Sequence, residues 1–186
     1  MVKCINRSIV SNGLPLLPFF IQPGEPLEPG PRGINLRILV RSSQTNYQYS
    51  CVELVMSPKK MGPAPHFHSH LDEITFVLEG KLGVMVGDTE EEIDAGGFNL
   101  RPHGIIHSLW NASDKPLRIF EMYCNQNFDD YLEELFFNII PDMMKHNLSA
   151  ADHGIAKRSM DLHAEFGVTL FPELRKPIID KYGLVS

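Results

Sequence analysis

From Ile34 onward, apolar and polar residues alternate. Ile34, Leu36, Ile38 and Val40 interleave with Asn35, Arg37 and Arg41, and Tyr49–Met56 follows as a second apolar-rich run. A period of two is the signature of a strand with one face buried. Further short runs recur at Glu73 to Leu78, Lys81 to Val86, Gly97 to Arg101, Ile105 to Trp110 and Leu117 to Tyr123. Turn chemistry separates them at Glu79-Gly80, Gly87-Asp88, Ala95-Gly96-Gly97, Pro102-His103-Gly104 and Asn111-Ala112-Ser113-Asp114. Many short strands without intervening helices predict an antiparallel sandwich or barrel over residues 34–124.

After Asn125 the period changes. Phe128, Tyr131, Leu132, Leu135, Phe136 and Ile139 fall at three- and four-residue spacing, with Asp129, Asp130, Glu133 and Glu134 between them. This predicts an amphipathic helix near 127–140, capped by Asn127 and ended at Pro141. A second helix is predicted over 149–166, with Ser149 as its cap and Gly167 just past its end. Residues 125–186 thus read as a helical extension. Residues 13–33 hold ten Gly or Pro, which excludes regular structure, so residues 1–33 read as an extended arm. Its apolar side chains, Leu16, Leu17, Phe19, Phe20 and Ile21, are too many for a free linker. The arm is expected to pack on its own barrel or on a second copy in a homodimer.

The length of 186 residues fits one domain with appendages. A formal charge of −6 offers no footprint for nucleic acid or an anionic membrane. The apolar run Leu14–Ile21 is too short to span a bilayer and carries two prolines, and a secretory signal is not expected. Cys4, Cys51 and Cys124 form no CxxC pair. A reducing, cytoplasmic setting is the expectation.

Five of the eight histidines lie between positions 66 and 107, in two tight blocks: Pro65-His66-Phe67-His68-Ser69-His70-Leu71-Asp72-Glu73 and Pro102-His103-Gly104-Ile105-Ile106-His107. Residues two apart on a strand share a face, so His66 and His68 can present two imidazoles to one point. Glu73 and His107 open later strands and can face the same point. Three imidazoles and one carboxylate suit Fe(II), Mn, Ni, Co, Cu or Zn with coordination positions to spare. The first block alone reads equally well as a solvated loop or an adventitious metal-binding tract.

Together the two blocks resemble the cupin superfamily. The family motif G(X)5HXH(X)3-4E(X)6G is met by His66, His68, Glu73 and Gly80, with Lys60 in place of the first glycine and Gly62 two residues on. The motif G(X)5PXG(X)2H(X)3N is met in full by Gly96, Pro102, Gly104, His107 and Asn111. The resemblance implies a mainly β, double-stranded β-helix (cupin, jelly-roll) barrel with C-terminal α-helices. It also implies that His66, His68, Glu73 and His107 bind one divalent transition metal. His70 and His103 fall at variable motif positions, and His146, His153 and His163 on the helical extension; none is expected to bind the metal. Among family members, quercetin 2,3-dioxygenase-like proteins bring O2 and an enolic or phenolic substrate together. A dioxygenase acting on a small hydroxylated aromatic or enol substrate is therefore expected, with Glu73 as ligand and catalytic base. The alternatives are a metal-dependent isomerase or epimerase and a non-catalytic small-molecule binder. Thr75, Val77 and Leu109 should share the interior with the ligands, and Met85, Phe98, Trp110, Phe120 and Met122 are further pocket candidates. Arg101 reads equally well as an exterior charge.

Overall fold

The alternation that begins at Ile34 closes into two antiparallel sheets in the computed structural model, which describes residues 18–30 and 32–185. In chain order the strands are β1 (Ile34–Val40), β2 (Tyr49–Met56), β3 (Lys60–Met61), β4 (His66–His68), β5 (Asp72–Glu79), β6 (Lys81–Val86), β7 (Thr89–Asp94), β8 (Phe98–Arg101), β9 (His107–Asn111), β10 (Leu117–Cys124) and β11 (Val168–Leu170). One sheet runs β1-β2-β10-β5-β8. The other runs β11-β4-β9-β6-β7, with β3 also paired to β9. The architecture is mainly β, of the jelly-roll type, with helices after the barrel, as the sequence predicts.

The core lies between the sheets. In β10, Leu117, Ile119, Glu121 and Tyr123 are buried while the alternate residues are only half-buried. The inward residues meet Val52, Leu54, Met56, Val77, Val84 and Leu109. Gly80 and Gly104 turn the chain with φ of +84° and +74°, a region that suits glycine. A Cβ on Gly80 would also lie 2.6 Å from the Pro116 carbonyl oxygen. Asn111, wholly buried, closes the loop beyond β9: its amide donates to the carbonyls of Ser57 and Lys115, and its oxygen accepts from Ser113.

The helical extension departs from expectation at several points. Helix α1 (Phe128–Glu133) runs through a π-helical turn (Glu134–Ile139) into α2 (Ile140–His146), so Pro141 does not end the helix. The Ile140 amide donates back to the Leu135 carbonyl. This widened turn precedes Pro141, whose missing N–H and bulky ring would break a regular α-helix. Asn127 occupies the cap position, but its side chain bonds Asp130 rather than a helix amide. Helix α3 (His153–Glu165) starts after Asp152, later than Ser149. The extension also contains a strand, β11, which pairs with β4, and a further helix, α4 (Arg175–Tyr182).

Helix α4 covers the outer face of the second sheet. Trp110 is fully buried there among Met61, Ile178 and Leu184, its ring 4.8 Å from that of Tyr182. It therefore does not line the barrel interior, and Met85 packs on this same outer cluster. Phe98 is 69% exposed, and Phe120 and Met122 lie on the half-buried outer face of β10. These five pocket candidates therefore do not line the interior, whereas Thr75, Val77 and Leu109 are buried within the barrel. Within the arm, residues 13–17 and Pro31 lie outside the described residues. Residues 25–28 follow β1, where Arg37 and Asn35 donate to the carbonyls of Glu25 and Glu28. Phe19, Phe20 and Ile21 are exposed. No helix among the described residues is long and apolar enough to cross a membrane.

Candidate metal centre

Strand β4 presents His66 and His68 inward and Phe67 outward, where Phe67 packs near the Phe171 ring. His66 is the direct cross-strand partner of His107 on β9. Glu73 comes from the facing sheet, on β5. The four side chains each offer a donor atom, all within 4.8 Å of one another, and all four are buried. His70 is exposed, and His103 sits at the surface on Asp72. His146 pairs with Asp142, His153 is exposed, and His163 lies beside Tyr131. The four residues that the resemblance picks out are thus the ones the fold brings together.

Their donor atoms are arranged as a group that could hold a metal ion. His66 Nδ1 lies 2.8 Å from the Ala64 carbonyl oxygen and His107 Nδ1 lies 2.9 Å from that of Ile105. A carbonyl only accepts, so both Nδ1 atoms donate, and Nε2 is the atom each ring turns into the cluster. His68 Nε2 lies 3.0 Å from Glu73 Oε1, and His107 Nε2 lies 3.2 Å from Glu73 Oε2. Neither contact is aligned as a hydrogen bond, and both ring nitrogens of His68 are buried without a partner. Buried polar groups left without partners are costly, and a positive centre among these donor atoms would satisfy them. Burial, and then the nearby His107, push the His66 pKa down to about 3, so that ring is a neutral donor at physiological pH.

The unforeseen member of the cluster is Arg101. Strand β8 is inverted relative to its composition: Phe98 and Leu100 face outward, Asn99 and Arg101 inward. Arg101 is the direct partner of Glu73 and is 2% exposed. Its Nε lies 3.0 Å from Glu73 Oε2, and its Nη2 donates to Thr75 Oγ1 at 2.7 Å and to Glu121 Oε1 at 2.5 Å. Glu121 also accepts from the Tyr123 hydroxyl at 2.5 Å and from Thr75. Burial alone would raise the Glu73 pKa, but the Arg101 charge holds the carboxyl well below the usual range. For Arg101, burial is outweighed by Glu73 and Glu121, which hold the guanidinium charged. The signal in the sequence was register: a residue paired with inward-facing Glu73 must also face inward.

Aromatic rings from the extension pack beside the cluster. Phe128 meets the His68 ring edge-on at 4.9 Å and stacks on Tyr131, with Phe166 behind both. A surface groove of about 610 Å³ lies elsewhere, between the arm and β1, with none of the four candidate ligands in its lining.

None of the curated proteins matches the sequence. Solved structures similar to this chain include KdgF from Halomonas sp., at 18% identity and TM-score 0.48, covering 54% of this chain and 86% of that one. A predicted oxalate decarboxylase from Thermotoga maritima is similar at 17% identity and TM-score 0.47, over 49% of this chain and 79% of that one. The polyketide cyclase RemF from Streptomyces resistomycificus is similar at 27% identity and TM-score 0.45, over 53% and 70%. Residues 52–123, which include all four candidate ligands, match the model of the Cupin domain family.

Proposed function

We propose that the chain is a metal-dependent cupin enzyme that joins O2 to a small hydroxylated aromatic or enol substrate, its divalent ion held by His66, His68, Glu73 and His107. The observation that carries this reading is the convergence of the buried His66, His68 and His107 rings on Glu73, with their donor atoms all within 4.8 Å of one another. A divalent ion bound there supplies Lewis acidity and exchangeable coordination positions. The residues set the rest. His66 and His107 are fixed in one tautomer by the Ala64 and Ile105 carbonyls, which aims their Nε2 atoms inward. Phe128, Tyr131 and Phe166 keep water from the cluster, which strengthens every electrostatic interaction inside it. Glu73 is the carboxylate nearest the imidazoles and the one available to take a substrate proton. Its pairing with Arg101 makes it a weak base, which suits an acidic phenol or enol better than an aliphatic alcohol. Among the described residues Arg101 is the one buried Lys or Arg, and it is already shared by two carboxylates and poorly placed to clamp a phosphate.

The test is oxygen uptake by metal-loaded protein with flavonols, catechols and β-diketones, run under air and under nitrogen. Uptake by the parent and none by the His66→Ala/His68→Ala double variant is the expected result. Turnover that continues under nitrogen would assign a metal-dependent isomerase or epimerase instead, and metal-dependent binding without turnover would assign a non-catalytic binder.

A further inference from the structure

Glu73 serves two masters in this fold. Its Oε2 lies between Arg101 Nε, at 3.0 Å, and His107 Nε2, at 3.2 Å, while its Oε1 faces His68. The guanidinium is buried and cannot shed its proton. Its position is fixed from behind by Thr75 and by Glu121, which is itself held by the Tyr123 hydroxyl. The guanidinium is therefore a permanent feature of the site rather than a side chain that can swing away when a metal arrives. We infer that Arg101 is a positioning residue that competes with a divalent ion for the Glu73 carboxylate, and that Glu121 moderates this competition by drawing on the same guanidinium. The inference rests on the metal-centre reading above.

The charges give it a sign. Glu73, Arg101 and Glu121 together carry one negative charge. A cation 3.0 Å from a ligand oxygen withdraws electron density from it and repels a dication nearby. Taking away Glu121's charge leaves Arg101 to Glu73 alone and brings the trio to neutrality, so metal binding should weaken. Taking away Arg101 and Glu121 together keeps the trio at one negative charge but frees Glu73, so metal binding should tighten. A residue that only supports the fold would weaken binding in both cases. The competition also has a chemical use, because a ligand carboxylate that donates less leaves the bound ion more Lewis acidic.

The experiment measures Co2+ affinity by chelator competition, together with the visible absorption of the bound ion, in the parent, Glu121→Gln and Arg101→Met/Glu121→Gln. The double variant replaces the buried ion pair with neutral side chains of similar volume, which buried pairs often tolerate. Partners beyond the direct ligands typically change metal affinity about 10–100-fold. The expected result is binding about tenfold weaker in Glu121→Gln and about tenfold tighter in the double variant, with a changed Co2+ spectrum in the latter. Affinities within about twofold of the parent, or weaker binding in both variants, would overturn the inference. Should the double variant fail to fold by circular dichroism, Glu121→Gln decides alone, since unchanged or tighter binding there contradicts the competition. A parent that binds no Co2+ is a separate outcome that removes the metal-centre reading itself.

Discussion

Acid should unfold the metal-free protein earlier than its carboxylates require, because His66 is buried as a neutral ring. Its pKa is near 3 in the folded chain and near 6.5 when unfolded. Between those values the unfolded chain binds a proton that the folded chain refuses, so stability rises with pH. The contribution is fully present above pH 6.5 and is lost as the pH falls toward 3. Each pH unit inside that window is worth about 1.4 kcal/mol, so moving from pH 6.5 to 4.5 should remove roughly 2–3 kcal/mol through this one ring. Glu73 contributes in the same direction but only at lower pH, since its depressed pKa matters below the ordinary carboxylate range. His163, whose pKa is also lowered by burial, overlaps the window. A His66→Asn variant isolates the His66 share, because Asn can retain a donor toward the Ala64 carbonyl without the titrating ring. The assay is urea unfolding of chelator-treated protein at pH 7.5, 6.5, 5.5 and 4.5. The parent should lose roughly 2–3 kcal/mol more than His66→Asn over the lower part of that range. Parallel pH dependences, within about 0.5 kcal/mol, would refute the neutral buried imidazole and with it the account of how the ligand is prepared.

Two further outcomes are expected. In Gly83→Ala the new Cβ would lie 2.1 Å from Trp110 Nε1 and 2.5 Å from its Cδ1. Overpacking of this kind costs about 1–3 kcal/mol, or roughly 2–12 °C in Tm for a chain of this size. Trp110 is the only tryptophan, so a red shift in its fluorescence should accompany the loss if α4 loosens, and an unshifted spectrum would contradict the docking described. The second outcome concerns assembly: full-length protein should scatter light as a dimer, and a chain lacking residues 1–30 should scatter as a monomer. An unchanged dimer would remove the arm's role, and a monomeric parent would remove the association altogether.

The barrel was legible from short apolar runs separated by turn residues. Lys81–Val86 and Leu117–Cys124, read as apolar runs between turns, both form strands, and the turn glycines sit where positive φ is needed. The four converging side chains were legible because both blocks keep fixed spacing within single strands and turns. Strand β7 was not, since its sequence Thr-Glu-Glu-Glu-Ile-Asp has one apolar residue and is a strand only through its hairpin with β6. Strand β11 is three residues long, and its partner β4 is remote in sequence, which no local pattern reports. Helix α4 was hidden by Pro177, which is tolerated near the start of a helix. Arg101 escaped because Phe98 and Leu100 take the outside of β8, the reverse of what hydrophobicity alone predicts.

The three-residue strand β4 has a consequence for how the chain is made. Both of its neighbours come after it in sequence: β9 at His107 and β11 at Val168. A nascent chain that has just emerged through His107 already holds all four side chains of the cluster, yet one border of the strand bearing two of them is still bare. Synthesis thus delivers the chelating groups well before the scaffold that encloses them. An interrupted product ending in the first tail helix would be a chelator with an open β-edge, a template on which other chains can add. Completion through Leu170 gives that edge its partner, so a segment translated later protects the histidines translated before it.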